Sequence, residues 1–267
     1  MEASDGGRIA LRLEERAQGV VATLVVDNPA RLNAMGSELT AAFAGEVRAL
    51  AANPDLRVLV VAGAGERAFI GGADIREMAM IATPKAARAF ILGIHGCCAA
   101  LRALPVPVIA RIQGYAFGAG LELAAACDSR IAADSASFGM QEVRLGIPSV
   151  VEAALLPMLI GWGRTRRLLL TGDTIGAQQA LAWGLVEEVA PAIALDEAVE
   201  ACIRSILACG PQAVRDQKAL IGRWESLPLA QAVAAGVESF AGAWRTDEPR
   251  ALMAKFLADR AARKGAS

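Results

Sequence analysis

The sequence predicts an α/β fold in which buried strands alternate with helices, followed by a region of helices alone. Between residues 8 and 134, short apolar runs alternate with segments of helical periodicity, the arrangement of a sheet covered by helices. Two runs, VLVVAG (58–63) and VPVIARIQG (106–114), are almost entirely apolar, which is typical of strands buried on both faces. After about residue 190, only helical patterns remain.

The first elements are a pair of strands and a helix. Alternation over residues 8–13 and the apolar run 20–26 predict the two strands. Ser37 is expected to cap a helix that extends to about Ala52. The apolar positions of this helix recur at helical spacing and define one buried face: Leu39, Phe43, Val47 and Leu50.

The next elements repeat the strand-to-helix order twice. A Gly-rich loop follows the strand 58–63, and Asp74 lies where the N-cap of a short helix belongs. A long helix is predicted over Pro84–Leu104. After the strand 106–114, a second Gly-rich turn leads into a helix that begins near Ala119, and 130–134 predicts a further strand.

The C-terminal region differs from the rest because it has no predicted strand. Four helices are expected, separated by Gly-Pro, Leu-Pro and Asp-Glu-Pro breaks: 196–208, 212–225, 229–244 and 247–263. We therefore expect a core over residues 1–195 and a helical region over residues 196–267. The helical region is expected to act as a cap or an oligomerisation arm, not as an independent domain.

Composition narrows the classes of protein. The 267 residues are 55% hydrophobic and 21% charged with a net charge of −1, which indicates a globular chain without a basic field for nucleic acid. The longest stretches without charged residues have 13 residues, shorter than the roughly 20 that span a bilayer. The N-terminal MEASDGGR has no signal-peptide pattern. We expect a cytoplasmic protein without membrane or nucleic-acid partners.

Cysteine and histidine usage excludes further kinds of site. The five cysteines follow no disulfide or zinc spacing, and we expect them to be small buried apolar residues. The only histidine, His95, lies in a helical run, so a site with several histidine ligands is impossible. A structural role is expected for His95.

Two Gly-rich turns, in FIGGADI and GYAFGAGLEL, each join an apolar strand to a helix. The first N–H groups of a helix lack partners within the helix and carry the positive end of its dipole. Glycine allows close approach to the backbone. Two such turns facing each other present two N–H groups to one oxygen, which is an oxyanion hole. Each turn alone is equally consistent with a tight strand-to-helix connection.

Two carboxylates lie in apolar surroundings close to the second turn. Glu122 comes two residues after Gly120, and Glu142 stands alone in ASFGMQEVRLGIP. A glutamate near a helix N-terminus is also favoured simply by the dipole, so spacing alone leaves both interpretations open. Two carboxyls in one cleft can share a water molecule, one as the base and the other as the acid.

Five segments in order resemble the crotonase, or enoyl-CoA hydratase/isomerase, superfamily over nearly the whole chain. They are NPARLNAM (28–35), AFIGGADIREM (68–78), IQGYAFGAGLELAAACDSRIAAD (112–134), FGMQEVRLGIP (138–148) and TGDTIGAQQALAWGLVEEV (171–189). The resemblance implies a crotonase-like spiral of strand-strand-helix repeats and a C-terminal helical trimerisation region, with trimers commonly stacked as hexamers. It also implies an acyl-CoA thioester as substrate.

The resemblance assigns roles to individual residues. The oxyanion donors are the N–H groups of Ala73 and Ala119, the latter at a position where glycine is more usual. Glu142 gives a proton to C2, and Glu122 orients the water and helps to deprotonate it. No metal or redox cofactor is implied, since coenzyme A is part of the substrate. The implied substrate-binding positions are Arg31, Leu32, Ala34, Ala73, Asp74, Ile75, Gly118 and Ala119.

The two carboxylates favour an enoyl-CoA hydratase, a lyase that adds water across the 2,3 double bond of a trans-2-enoyl-CoA. Single-carboxylate isomerases of the family use only the position of Glu142. The oxyanion hole itself does not separate a hydratase from an isomerase, a hydratase-lyase, a decarboxylase or a thioester hydrolase. A non-catalytic acyl-CoA- or RNA-binding relative is a further alternative, which the paired carboxylates and the balanced charge disfavour.

One loop departs from the family pattern. Where IPGAGGT-like sequences are usual, this chain has IPSVVEA (147–153) and is one residue shorter after Leu145. Ser149 and Glu152 have the spacing of a capping box that opens the next helix. The alternative is that Glu152 is a third carboxylate lining the acyl pocket.

Overall fold

The computed structural model describes residues 7–265 and divides into two compact units, Met1–Ile203 and Arg204–Ser267. The first unit contains all the strands of the described residues, and the second is helical. The predicted boundary between core and oligomerisation region, after residue 195, stays a prediction.

The strands of the first unit form two sheets. The described residues contain β1 Arg8–Arg16, β2 Gly19–Asp27, β3 Leu56–Gly63, β4 Ala68–Ile70, β5 Val108–Ile112, β6 Tyr115–Phe117, β7 Ser129–Ala133, β8 Ser137–Gly139, β9 Thr174–Gly176 and β10 Glu188–Ala190. The larger sheet has the order β1-β2-β3-β5-β7-β10, and the smaller has the order β4-β6-β8-β9.

Most strand pairs are parallel, which fits the predicted alternation with helices. Only the pairs β1–β2 and β8–β9 are antiparallel within the described residues. The strands expected from the sequence are β1, β2, β3, β5 and β7 of the larger sheet, and β3 is buried at every residue. The last strand of that sheet, β10, was not predicted. The four three-residue strands of the smaller sheet were not predicted, because three residues are too few to show a period.

The described helices alternate with strands up to β10 and then follow one another. They are α1 Ser37–Leu50, α2 Ile75–Ala79, α3 Pro84–Ala103, α4 Ala119–Ala126, α5 Leu156–Thr171, α6 Ala177–Trp183, α7 Leu195–Leu207, α8 Pro211–Trp224, α9 Leu229–Ala243 and α10 Glu248–Gly265. Short 3-10 helices span Pro29–Arg31, Glu142–Leu145, Val151–Leu155 and Ala192–Ala194. The four predicted C-terminal helices are confirmed to within a few residues.

The helix starts show one correct and one wrong prediction. Asp74 is the N-cap of α2 and accepts from the backbone N–H groups of Arg76 and Glu77. The N-cap of α1 is Gly36, not Ser37. The backbone N–H and the hydroxyl of Ser37 bond to the carboxylate of Glu77 instead, so this serine ties α1 to α2.

Helix α3 has the length and apolar composition that a membrane span requires. Its apolar face is packed inside the first unit against α1 and α4, where Phe90, Ile94 and Leu101 are buried. A core helix satisfies the same criteria, so these properties are weak evidence for a membrane span. The predicted burial of the cysteines holds for Cys97, Cys98 and Cys127 but is wrong for the exposed Cys209 and only partly right for Cys202.

The second unit is held by contacts between its own helices. The Glu248 carboxylate accepts from the backbone N–H groups of Gln212 and Ala213 at 3.0 and 2.8 Å, so α10 caps the first turn of α8. The indole N–H of Trp224 donates to the Ala232 carbonyl at 3.0 Å. Leu220 is buried, whereas most large apolar residues of α9 and α10 are exposed in the single chain.

Candidate active site

The two Gly-rich turns meet because they follow neighbouring strands. β4 and β6 pair in parallel, so the turns after them leave the smaller sheet at the same edge. The backbone of Gly120 lies directly against the carbonyl of Ile70, and a Cβ at residue 120 would overlap that oxygen. The turns therefore pack backbone against backbone.

One alanine from each of these turns lines the same cavity. Ala119 is the first residue of α4, so its N–H has no carbonyl partner within the helix. Ala73 forms an isolated bridge with Met35 that uses the Gly72 carbonyl and the Asp74 N–H, and no backbone bond of the described residues uses the Ala73 N–H. Both alanines line a cavity of about 130 Å³.

Glu122 lines this cavity from α4, a helix in which every residue is buried. Its side chain is only 4% exposed, and the Ala153 N–H donates to its Oε1 at 3.2 Å. Burial, followed by the negative charge of Glu142, raises the pKa of Glu122 to about 8, whereas the Ala153 hydrogen bond acts in the opposite direction. The Glu122 carboxyl is therefore mainly protonated in the free protein at neutral pH.

Glu142 reaches the same cavity from the start of the 3-10 helix Glu142–Leu145. It is half-buried, and the Ser149 hydroxyl donates to its Oε2 at 2.7 Å. Gly118, the N-cap of α4, has a φ of 50°, and a Cβ at that position would collide with Glu142 Oε1. Glycine at residue 118 therefore makes the space in which the second carboxylate lies.

The predicted site residues fall into two neighbouring groups. Ala73, Ile75, Gly118, Ala119, Glu122 and Glu142 line the cavity of about 130 Å³. Arg31, Ala34 and Asp74 line a groove of about 570 Å³, in which the Arg31 guanidinium lies 3.2 Å from the Asp74 carboxylate. Leu32 contributes its backbone, since its carbonyl accepts from the Gly71 N–H at 2.8 Å.

Asn33 is a positioning residue that the sequence analysis missed. Its side chain is fully buried and donates to the carbonyls of Ala64, Ala68 and Phe69 at 3.0, 2.8 and 3.2 Å. It thereby fixes the turn that carries Arg31 to the segment leading into the first Gly-rich turn. An asparagine next to Leu32 in a tight turn was the available signal, because asparagine tolerates the left-handed backbone found here.

An apolar cavity of about 720 Å³ adjoins the carboxylate cavity. The two cavities share seven lining residues, Ile75, Met78, Ile91, Leu145, Ile147, Pro148 and Val150. Only Ile75 of these was among the predicted site residues, because apolar side chains at irregular spacing give no chemical signal.

The capping-box prediction for residues 149–152 is wrong. The 3-10 helix Val151–Leu155 has Val150 as its N-cap and no side-chain cap bond. Ser149 bonds to Glu142, and Glu152 points to His95, whose Nδ1 lies 2.8 Å from Glu152 Oε1. Glu152 is likewise absent from the residues that line the two cavities, so it is not a third carboxylate of the pocket.

Comparison with known proteins gives consistent relatives. The family model "Enoyl-CoA hydratase/isomerase" matches residues 16–263. A crotonyl-CoA hydratase of Syntrophomonas wolfei is 33% identical over 255 residues, 95% of this chain and 96% of that protein. A short-chain-enoyl-CoA hydratase of Clostridium acetobutylicum is 32% identical over 91% of this chain and 93% of its own length.

The solved structures agree with the sequence relatives. The crystal structure of an enoyl-CoA hydratase from Bacillus anthracis superposes with a TM-score of 0.88 at 32% identity, covering 94% of this chain and 96% of that chain. The predicted crotonase-like fold is thereby confirmed. Both the sequence and the fold show that this chain belongs to the enoyl-CoA hydratase/isomerase family.

Proposed function

We propose that this chain is an enoyl-CoA hydratase that adds water across the 2,3 double bond of a trans-2-enoyl-CoA and forms a 3-hydroxyacyl-CoA. The observation that carries the proposal is the meeting of two carboxyls, Glu122 and Glu142, in one cavity with the turns of Ala73 and Ala119. A single carboxyl can move a proton from one carbon of the substrate to another. Water addition requires one group that takes a proton from the water and one that gives a proton to C2.

The oxyanion hole supplies the driving interaction. The thioester oxygen accepts from the N–H groups of Ala73 and Ala119, and negative charge develops on it as the nucleophile attacks C3. Donors that are already oriented in a site of low dielectric stabilise this charge without reorganising. Alanine at residue 119 keeps its backbone N–H, so this departure from the more usual glycine preserves the donor.

The proton account of the reaction balances within the carboxyl pair. Water oxygen forms the bond to C3 while its proton goes to Glu122, and the electrons of the double bond accept a proton at C2 from Glu142. Hydration therefore begins with the proton of the pair on Glu142. The raised pKa of Glu122 favours this proton on Glu122 in the free protein, which is the state required for the reverse dehydration. The pair must exchange this proton before each hydration.

The substrate extends from the carboxylates in two directions. The acyl group enters the apolar cavity of about 720 Å³ that adjoins them. Coenzyme A lies along the groove of Arg31, Ala34 and Asp74, with Leu32 and Gly118 holding the backbone turns beside it. This chemistry uses proton transfer and backbone hydrogen bonds, so the proposal includes no metal or redox cofactor.

Assembly and location complete the proposal. Several large apolar side chains of α9 and α10 are exposed in the single chain: Leu229, Val237, Phe240, Phe256 and Leu257. Burying such residues between copies favours the homotrimer or hexamer implied by the family resemblance. We place the protein in the cytoplasm, without nucleic-acid or membrane partners.

A turnover screen tests the proposal. Purified protein is incubated with short, long, branched and aromatic trans-2-enoyl-CoAs, beginning with crotonyl-CoA, and the products are identified by mass spectrometry. We expect a mass gain of one water on at least one substrate. Double-bond migration without water uptake, or thioester cleavage, would replace the hydratase by an isomerase or a hydrolase.

A further inference from the structure

Glu152 is a buried carboxylate that the proposed chemistry does not use. It is 7% exposed, and its Oε1 lies 2.8 Å from Nδ1 of His95 on α3. Its Oε2 has no hydrogen-bond partner among the described residues. A buried carboxylate with one unpaired oxygen is costly, so the bond to His95 decides whether this arrangement is tolerated.

The backbone beside Glu152 is strained. Val151 has a φ of 40°, in the left-handed region that β-branched residues almost never adopt. Such strain persists only where the surrounding structure holds it, and it concentrates at functional sites. The segment that carries this strain is Val150–Ala153, in which Val150 lines both the carboxylate cavity and the acyl cavity.

The same segment holds Glu122. Ala153, the residue after Glu152, donates its N–H to Glu122 Oε1 at 3.2 Å. The 3-10 helix Val151–Leu155 packs against both α3 and α4, so it contacts the helix of His95 and the helix of Glu122. A displacement of Glu152 therefore moves the Ala153 N–H, which among the described residues is the only backbone donor to the Glu122 carboxyl.

We propose that His95 and Glu152 form a positioning pair that clamps residues 150–153 in their strained conformation and thereby orients Glu122 toward the substrate water. The role of Glu122 in this statement rests on the proposed hydratase function. His95 does not reach the cavity, so it acts through Glu152 and the Ala153 N–H. An ionised Glu152 only accepts, so Nδ1 carries the hydrogen of this bond.

The surroundings of the pair contain few competing charges. Arg48 of α1 approaches α3 at Gly96, one residue from His95, and Glu122 of α4 is close enough for the Glu152 charge to raise its pKa. On α3 itself, the neighbouring ionisable groups are the buried thiols of Cys97 and Cys98, whose pKa values burial raises. Among the described residues, His95 is therefore the side chain that hydrogen-bonds to Glu152.

The first experiment compares three variants on α3. His95→Leu removes the donor, His95→Asn keeps an N–H near the position of Nδ1, and Leu92→Ala alters an exposed side chain of the same helix as the control. We expect His95→Leu to lower kcat ~10-fold with KM changed less than ~2-fold, because the reacting group is misplaced while thioester binding is kept. His95→Asn should recover most of kcat, and Leu92→Ala should match wild type.

A double variant separates positioning through Glu122 from general damage. If His95 acts through Glu122, His95→Leu should lower kcat little further in a Glu122→Gln background. Full additivity of the two losses would overturn the proposal. If His95→Leu does not fold, the His95→Leu/Glu152→Leu variant, which leaves no unpaired buried charge, takes its place with the same expected loss of kcat.

Hydrogen exchange tests the clamp independently of the reaction. The amide of Ala153 should exchange at least ~10-fold faster in His95→Leu than in wild type, His95→Asn or Leu92→Ala, because the segment opens locally. Unchanged exchange overturns the clamp even if the protein is an active hydratase. Faster exchange in a protein without hydration of any enoyl-CoA keeps the clamp and rejects the proposed function.

Discussion

Glu122 and Glu142 face one cavity from elements of opposite character. Glu122 stands in the first turn of a fully buried helix and accepts from a backbone N–H, whereas half-buried Glu142 begins a short 3-10 helix without buried residues and accepts from a hydroxyl. Burial of Glu122 opposes its ionisation, and the charge of Glu142 adds to that effect. The two glutamates of the pair thus differ in burial and in the kind of donor that each accepts from.

The largest expected effect of this difference is on stability. The pKa of Glu122 in the folded protein, about 8, lies above the ordinary value of 4.5. The stability that the neutral carboxyl contributes to the folded protein is therefore fully present below pH 4.5 and is lost as the pH rises through about 8. Glu122→Gln cannot ionise. Its unfolding free energy relative to wild type should therefore increase by roughly 4 kcal/mol between pH 5 and pH 9.

Denaturant unfolding of both proteins at the two pH values measures this change. Glu46→Gln, at an exposed position of α1, is the matched control and should show no comparable pH dependence. A constant difference between Glu122→Gln and wild type would mean that Glu122 is ionised in the folded protein throughout this range.

The second effect concerns the rate. Glu122→Gln and Glu142→Gln keep size and hydrogen bonding but remove proton transfer, so each should lower kcat by ~10²-fold or more while KM changes little. The double variant should be much less than additive, because both groups serve the same addition step. Glu142→Gln alone should also stop exchange of the C2 proton with solvent, which is followed by NMR in D2O.

These variants also decide between the members of the family. Near-wild-type hydration by Glu122→Gln would mean that Glu122 only interacts with the dipole of α4 and takes no part in the reaction. Retained double-bond isomerisation in Glu122→Gln, with loss in Glu142→Gln, would assign the protein to the single-carboxylate reaction.

The smallest effect tests the space made for Glu142. Gly118→Ala places a Cβ against Glu142 Oε1 at a φ of 50°, so the carboxylate must move away while Glu122 keeps its partner. We expect kcat to fall ~10-fold, less than when proton transfer is removed altogether. Ala119→Gly, at the residue after Gly118, keeps the backbone N–H of residue 119 as the oxyanion donor and serves as the control. Equal losses in the two variants would show that the oxyanion turn, not Glu142, is affected.

The sequence predicted the larger sheet well because its strands carry long signals. The continuous apolar run of β3 and the alternation of β1 each extend over several residues. The strands of the smaller sheet have three residues each, too few to show a period, and they exist because their neighbours pair with them. The helix faces were predictable for the same reason as the long strands, since Phe43 and Val47 repeat at helical spacing.

The sequence predicted those site residues that carry a local chemical signal. It did not predict contacts between residues that are far apart in the sequence. Isolated carboxylates beside Gly-rich turns drew attention to Glu122 and Glu142. The local spacing of Ser149 and Glu152 suggested a capping box, but the partner of Glu152 is His95, 57 residues earlier. Likewise, Ser37 is not the N-cap of α1, because Gly36 occupies that position and Ser37 bonds to the distant Glu77. Local pattern does not encode such long-range contacts.

The backbone contact between Gly120 and Ile70 has a consequence for how such an enzyme changes over generations. The spacing of the two turns is set by a contact between main-chain atoms, for which glycine at residue 120 leaves the room. The walls of the acyl cavity come from elsewhere, namely α2, α3 and the loop of Leu145 and Val150. Side-chain changes in these walls can thus alter the acyl selectivity while the backbone spacing of the two turns is kept.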